Sequence, residues 1–257
     1  MPGLSICVAG ATGWTGSAVA EAVAGADDLE LRSAVSRSAA GGEIGGAPVF
    51  ATVDEALDGV DVLIDYTAHD VVKGHVLGAI ERGVSVVVGS SGLTAADYEE
   101  IDAAARARGV GVVASGNFSV TAAMAQAAAL LAARHLDRWE VIDYASAAKP
   151  DAPSGTAREL AERLGAVRRP AVDVPATQPA RGEEVGGTRV HSLRLPSFTV
   201  STEVVFAAPD ERLSIRHDAG SSAAPYVAGT LLAARAAPGR VGLTRGLDTL
   251  LLDQRST

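Results

Sequence analysis

The chain has 257 residues, 47% hydrophobic and 21% charged, which excludes wholesale disorder and allows one large domain or two modest ones. With 31 acidic residues against 22 basic ones the formal charge is −9, a balance that repels phosphate backbones and anionic lipid, so neither nucleic acid nor membrane is an expected partner. A single cysteine, Cys7, excludes an intrachain disulfide and a cysteine-rich metal site, and no apolar run reaches the roughly 20 residues that span a bilayer. The sequence turns strand-like at Leu4–Ala9 with no basic leader before it, so a soluble, cytoplasmic protein is expected.

The first half alternates short β-branched runs with longer Ala-rich stretches, the signature of βαβ units around a parallel sheet. Strands are expected at Ser5–Ala9, Leu31–Val35, Val62–Asp65, Val84–Val88 and Gly111–Ala114. Helices are expected at Thr15–Val23, Val71–Arg82 and Thr94–Arg108. The strands read as continuous apolar runs, as strands buried on both faces do. Thr94 with Asp97 three residues on is an N-cap pattern.

After Asn117 the texture changes. A long, almost uncharged helix is expected at Ser119–Arg134, a strand at Glu140–Ala145, a helix at Gly155–Leu164 and a polar, Pro-rich loop over Arg168–Gly187. Strands of period two follow at Arg189–Leu195, Thr202–Ala207 and Arg212–His217, as in an antiparallel or mixed sheet with one solvated face. Ala223–Ala236 and Gly246–Leu252 are again helical and apolar. The fold class is therefore α/β: a Rossmann-type parallel-sheet domain over residues 1–118, joined by the C-terminal segment from about residue 222. A second α+β domain with a mixed sheet occupies residues 119–221.

Gly10-Ala-Thr12-Gly13-Trp14-Thr15-Gly16 directly follows the first strand and opens a helix, which is the context a dinucleotide loop requires. Its glycines permit a tight turn and close backbone approach, and the helix N-terminus aims unpaired N–H groups at a pyrophosphate. About 20 residues further on, an NAD site carries an acid for the ribose hydroxyls. The chain has Ser36 and Arg37 instead, which suit a 2′-phosphate, so NADPH is expected in preference to NADH. Gly89-Ser-Ser91-Gly92 and Ser115-Gly-Asn117-Phe118 lie at the carboxyl ends of later parallel strands, where open α/β sheets bind ligands.

In the second half, Lys149-Pro-Asp-Ala-Pro-Ser154-Gly155-Thr156 runs from a strand end into a helix N-terminus. Backbone N–H groups of Gly155 and Thr156, the hydroxyls of Ser154 and Thr156 and the Lys149 ammonium make a cradle for a carboxylate-bearing small molecule. Ser154 also reads as a plain N-cap. Lys149 and Lys73 are the chain's only lysines. No His, Asp or Glu cluster has metal-ligand spacing, so no metal is expected.

Ser115-Gly-Asn-Phe-Ser-Val120 and Lys149-Pro-Asp-Ala-Pro-Ser-Gly-Thr-Ala157 closely resemble the two signatures of dihydrodipicolinate reductases. The glycine loop, Asp65-Tyr66-Thr67, Gly89-Ser-Ser-Gly92 and Arg189-Val-His-Ser-Leu-Arg194 fall in the order that family shows. The resemblance implies hydride transfer from NAD(P)H to a cyclic imine or enamine dicarboxylate. It also implies Tyr66 and Thr67 among the cofactor contacts, and a second-domain sheet that builds a homotetramer.

The chain departs from the family where a His-His pair should supply the proton donor and a substrate contact: Ala145 and Ser146 stand there. Trp14 replaces the usual arginine of the glycine loop, and Val200-Ser-Thr202 replaces a Gly-Glu-His stretch. Alanine cannot donate a proton, which leaves Tyr144, Ser146 and Lys149 as substitutes to consider beside water. The expected activity is thus reduction of a C=N or conjugated C=C in a carboxylate substrate other than the housekeeping one. The alternatives are the genuine lysine-pathway reductase with a rewired acid, or a non-catalytic dinucleotide-binding or assembly protein.

Overall fold

The computed structural model describes residues 3–171 and 179–253. The chain forms two compact units, Met1–Val120 with Ala223–Thr257, and Thr121–Ser222.

The first unit begins β1 (Leu4–Ala9), α1 (Trp14–Ala24) and β2 (Leu29–Val35). Next come β3 (Glu43–Ile44), β4 (Ala47–Phe50), α2 (Val53–Ala56) and β5 (Val62–Asp65), then α3 (Val72–Glu81), β6 (Ser85–Val88), α4 (Ala95–Arg108) and β7 (Gly111–Ala114). β5, β6 and β7 are buried at every position, as their largely apolar sequences require, the polar ends Asp65 and Ser85 included. α4 opens with the reciprocal Thr94–Asp97 capping box and ends on the left-handed Gly109.

In the second unit, α5 (Val120–Ala133) precedes β8 (Trp139–Ala145) and α6 (Gly155–Val167). β9 (Glu183–Val185), β10 (Thr188–Arg194), β11 (Val200–Ala208) and β12 (Glu211–Asp218) follow. Their order is β12-β11-β8-β10-β9, with β10 parallel to β8 and the other pairs antiparallel, so the sheet is mixed. The loop expected over Arg168–Gly187 is corrected in part. α6 runs on to Val167, and residues 183–185 pair with β10 because Val185 enters the core beside Leu164 and Val190; residues 172–178 lie outside the described residues. Ala129, Ala133, Leu160 and Leu164 bring α5 and α6 onto the face carrying Val141, Val190, Val204 and Phe206. The opposite face, with Ile142, Tyr144, Leu193 and Val205, is only partly buried.

The chain then returns to the first unit as α7 (Ala224–Ala236), β13 (Gly242–Arg245) and α8 (Leu247–Asp253). β13 pairs parallel with β7, completing an eight-stranded sheet of order β13-β7-β6-β5-β1-β2-β4-β3. The strand order reverses at β1, which puts the ligand crevice of this open sheet over the carboxyl ends of β1 and β5.

Candidate active site

Residues 10–16 leave β1 and enter α1 at that crevice. Gly10 has φ +78°, and a Cβ there would overlap the carbonyl of Tyr66 at the end of β5. A Cβ on Gly16 would overlap the carbonyl oxygen of Gly10, so the helix packs directly on the loop. Gly13 caps α1 with no side-chain hydrogen bond, and no acid lies in the first turn. The helix N-terminus, with Thr12, Trp14 and Thr15 around it, therefore keeps its positive end for an anion. Trp14 is 54% exposed, its ring edge-on to Tyr226. At the end of β2 the Ser36 hydroxyl lies 2.8 Å from Thr12 Oγ1, tying this strand end to the glycine loop, and Arg37 is exposed beside it. These residues fit a dinucleotide: a turn that side chains would fill, an uncapped helix end, and no carboxylate at the carboxyl end of β2.

The neighbouring strand ends are organised by Asp65, a residue noted from the sequence only as part of the Asp65-Tyr66-Thr67 string. Its side chain is fully buried and accepts from Thr67 N at 2.9 Å, Thr67 Oγ1 at 2.7 Å and Ser90 Oγ at 2.6 Å, with His75 Nδ1 at 2.9 Å. One carboxylate thus sets both the β5 loop and the β6 loop. Tyr66 bonds Thr230 of α7 at 2.6 Å, and burial raises its phenol above the ordinary range. Gly89 leaves the space that the Tyr66 ring fills. Ser91 is exposed, whereas Ser90 makes the structural contacts. After β7, Ser115 Oγ donates to the Asn117 carbonyl at 2.9 Å, Asn117 Oδ1 accepts Ser119 N at 2.9 Å, and Phe118 packs edge-on to Tyr66.

In the second unit, Lys149 Nζ lies 2.9 Å from Asp151 Oδ1, and Lys149 N closes a turn onto the Ser146 carbonyl. Gly155 and Thr156, both half-buried, form the first turn of α6, which carries no acid. Ser154 is 1% exposed; its hydroxyl donates to Asp143 Oδ1 at 2.7 Å and accepts Ala157 N. Of the two roles the sequence left open for Ser154, the geometry displays the cap. Asp143, fully buried, also accepts Ser154 N and Ser192 Oγ and pairs with Arg194 Nη2 at 2.9 Å; the same Nη2 donates to the Asp151 carbonyl.

Tyr144 does not join this cluster. Strand alternation turns it to the opposite face of β8 from Asp143, where its hydroxyl donates to Glu203 Oε2 at 3.1 Å and Arg216 lies over its ring. Burial and the Glu203 carboxylate raise its phenol. Ser146 is half-buried and accepts Ala148 N; Ala145 is fully buried. Among the described residues no group of three potential ligands is placed to hold a metal ion, and no helix is long and apolar enough to cross a membrane. Sequence reasoning missed His75, Ser90, Asp143 and Arg194 as organising residues. A polar residue inside or ending an otherwise apolar strand was the available signal for Asp143.

A Rossmann-type sheet with a glycine loop at its first strand–helix junction, and a second unit built on a mixed sheet, form the architecture of an NAD(P)H-dependent oxidoreductase. Residues 4–118 match the family described as dihydrodipicolinate reductase, N-terminus, and residues 116–251 its C-terminus. Similar relatives are the 4-hydroxy-tetrahydrodipicolinate reductases of Nocardia farcinica, 38% identical over 96% of this chain and 98% of the relative, and of Synechococcus elongatus, 35% identical with the same coverage. Among solved structures, a dipicolinate-bound dihydrodipicolinate reductase from Paenisporosarcina sp. TG-14 superposes with TM-score 0.75 at 22% identity, covering 96% of this chain and 99% of that one. The chain belongs to the dihydrodipicolinate reductase family.

Proposed function

We propose that the protein reduces 4-hydroxy-tetrahydrodipicolinate or a close cyclic imine dicarboxylate, using NADPH in preference to NADH. The observation that carries this reading is the cradle at the start of α6. Gly155 and Thr156 open α6 with no acid in its first turn, Lys149 pairs with Asp151 at the start of the same loop, and Asp143 and Arg194 pin that loop through Ser154 N and the Asp151 carbonyl. Whole-length relatives that carry the 4-hydroxy-tetrahydrodipicolinate reductase name support the same substrate.

NADPH, when bound, would supply the hydride that reduces the C=N or conjugated C=C of the substrate. The glycine loop and the α1 N-terminus hold its pyrophosphate, and Ser36 and Arg37 take the 2′-phosphate. Asp65 fixes the Thr67 and Ser90 loops at the neighbouring strand ends. Lys149 neutralises the substrate carboxylate, and Ser154 holds the helix start in register. A cationic iminium needs no acid for the hydride step, so the absence of histidine at positions 145 and 146 leaves that step open, with water or Ser146 serving any protonation.

Those same two positions favour a second reading, a substrate other than the housekeeping one. NADPH oxidation measured with 4-hydroxy-tetrahydrodipicolinate beside a panel of cyclic imino acids decides between them. Turnover at the rate of the histidine-bearing relatives supports the first reading, and activity confined to another imine supports the second. The assembly is what the family resemblance implies, and the partly buried face of the second unit's sheet is compatible with it. Ile142, Leu193 and Val205 there are only partly buried, so pairing of these sheets between subunits into a homotetramer is part of the proposal.

A further inference from the structure

The second unit contains a small cavity between α5, α6 and the sheet. Apolar Ala122, Ala125, Leu160, Val204 and Ile215 make its walls, and Thr156, Gln126, Thr202 and His217 supply its polar groups. Thr156, in the first turn of α6, is among its lining residues, so the cavity adjoins that helix start.

Thr202 and His217 stand directly opposite each other in the β11–β12 ladder, with both side chains on the helix-covered face. Thr202 is 6% exposed, and its Oγ1 is buried with no hydrogen-bond partner; Nδ1 of His217 is buried and equally unpartnered. The other ring nitrogen of His217 lies 3.1 Å from Thr121 Oγ1. Two orphaned polar atoms on adjacent strands are costly unless something in the cavity meets them.

The chemistry of the lining selects the occupant. Neither Lys149 nor any arginine lines the cavity, so it offers a carboxylate no full positive charge. Gln126 Nε2 donates to Glu159, whose charge Arg163 meets at 3.4 Å. Burial holds the His217 imidazole below its ordinary range, against the opposing pull of Asp218. An uncharged group that both donates and accepts, as a hydroxyl does, satisfies Thr202 Oγ1 and His217 Nδ1 together.

We propose that Thr202 and His217 form a subsite for the hydroxyl of the substrate, adjoining the Thr156 end of the carboxylate cradle. The inference rests on the reading of the substrate as a hydroxylated cyclic imine dicarboxylate and adds the residues that recognise its hydroxyl.

The test compares 4-hydroxy-tetrahydrodipicolinate as substrate with dipicolinate as competitor, which has two carboxylates and no hydroxyl. Thr202→Val and His217→Asn should each raise KM for the hydroxylated substrate about 5- to 10-fold while the inhibition constant of dipicolinate stays within about twofold. Thr202→Ser should restore KM, and it keeps the proposal testable if His217→Asn fails to fold. Unchanged KM in the Val variant overturns the proposal and leaves the cavity to water. A parallel rise in KM and in the dipicolinate constant also overturns it, since the residues would then only position the cradle. Wild-type protein inert towards 4-hydroxy-tetrahydrodipicolinate removes the substrate reading itself, and the subsite with it.

Discussion

Arg194 Nη2 lies 2.9 Å from Oδ2 of Asp143, a carboxylate with no exposed surface, and spans from there to the carbonyl of Asp151. The pair therefore couples the end of β10 to the loop that starts α6. Removing the cation leaves Asp143 charged and buried, with only serine hydroxyls and the Ser154 amide as donors. Arg194→Ala should cost about 3 kcal/mol or more, read as a lowered urea midpoint at unchanged slope. A loss below about 1 kcal/mol would show that the serines alone satisfy the carboxylate.

Cys7 sits in the middle of β1 with no solvent access, and burial pushes its thiol from an ordinary 9.0 up to about 12. The folded state thus holds this proton more tightly than the unfolded chain does. Its contribution to stability is intact below pH 9 and is lost as pH rises from 9 towards 12. Native protein should resist iodoacetamide at pH 8 and react fully in denaturant. Stoichiometric labelling of the folded protein at pH 8 would contradict this burial.

The parts legible in the sequence were those whose chemistry is local. The glycine loop, the Thr94–Asp97 box and the Lys149–Thr156 string each act within a few residues, so spacing alone discloses them. The β3–β4 hairpin escaped notice because its strands are two and four residues long, although Gly45-Gly46, both at positive φ, is a turn signal. β13 has four residues and exists only because β7, more than 100 residues earlier, offers an open edge. Asp65 with His75 and Ser90, and Thr202 with His217, are brought together by helix placement and strand register, which composition does not encode. Tyr144 shows the converse: the alternation of a strand was enough to turn it away from the cradle.

The cofactor preference rests on Ser36, held by Thr12, and on the exposed Arg37 at the end of β2. NADPH should bind more tightly than NADH, and Arg37→Ala should remove most of the difference, about 1.5–3 kcal/mol for a charge-assisted contact. Titration calorimetry with both cofactors measures it. Equal dissociation constants in the wild type would refute the preference.

Val205 lies on the partly buried face of the second unit's sheet, opposite Glu140 in the ladder. If that face joins subunits, Val205→Asp places a carboxylate in an apolar contact and should shift a tetramer to smaller species in sedimentation velocity. A wild-type protein that sediments as a monomer at micromolar concentration would exclude the assembly altogether.

The positions that lost histidine offer the sharpest kinetic contrast. Ser146 follows β8 and is half-buried, while Ala145, the last residue of β8, is enclosed at 0% exposure, so a larger side chain is accommodated at 146 and strains the core at 145. Where proton delivery limits turnover, Ser146→His should raise kcat towards the 10²–10⁴-fold range typical of general acid catalysis, roughly, with KM little changed. Ala145→His should instead lower the melting temperature. Lys149→Ala gives the opposite kinetic signature: the cradle loses its ammonium, so KM for a carboxylate substrate should rise with kcat less affected. If Ser146→His leaves kcat unchanged while Lys149→Ala behaves as described, protonation does not limit the reaction. The hydride step to an already cationic nitrogen would then be sufficient without a side-chain acid.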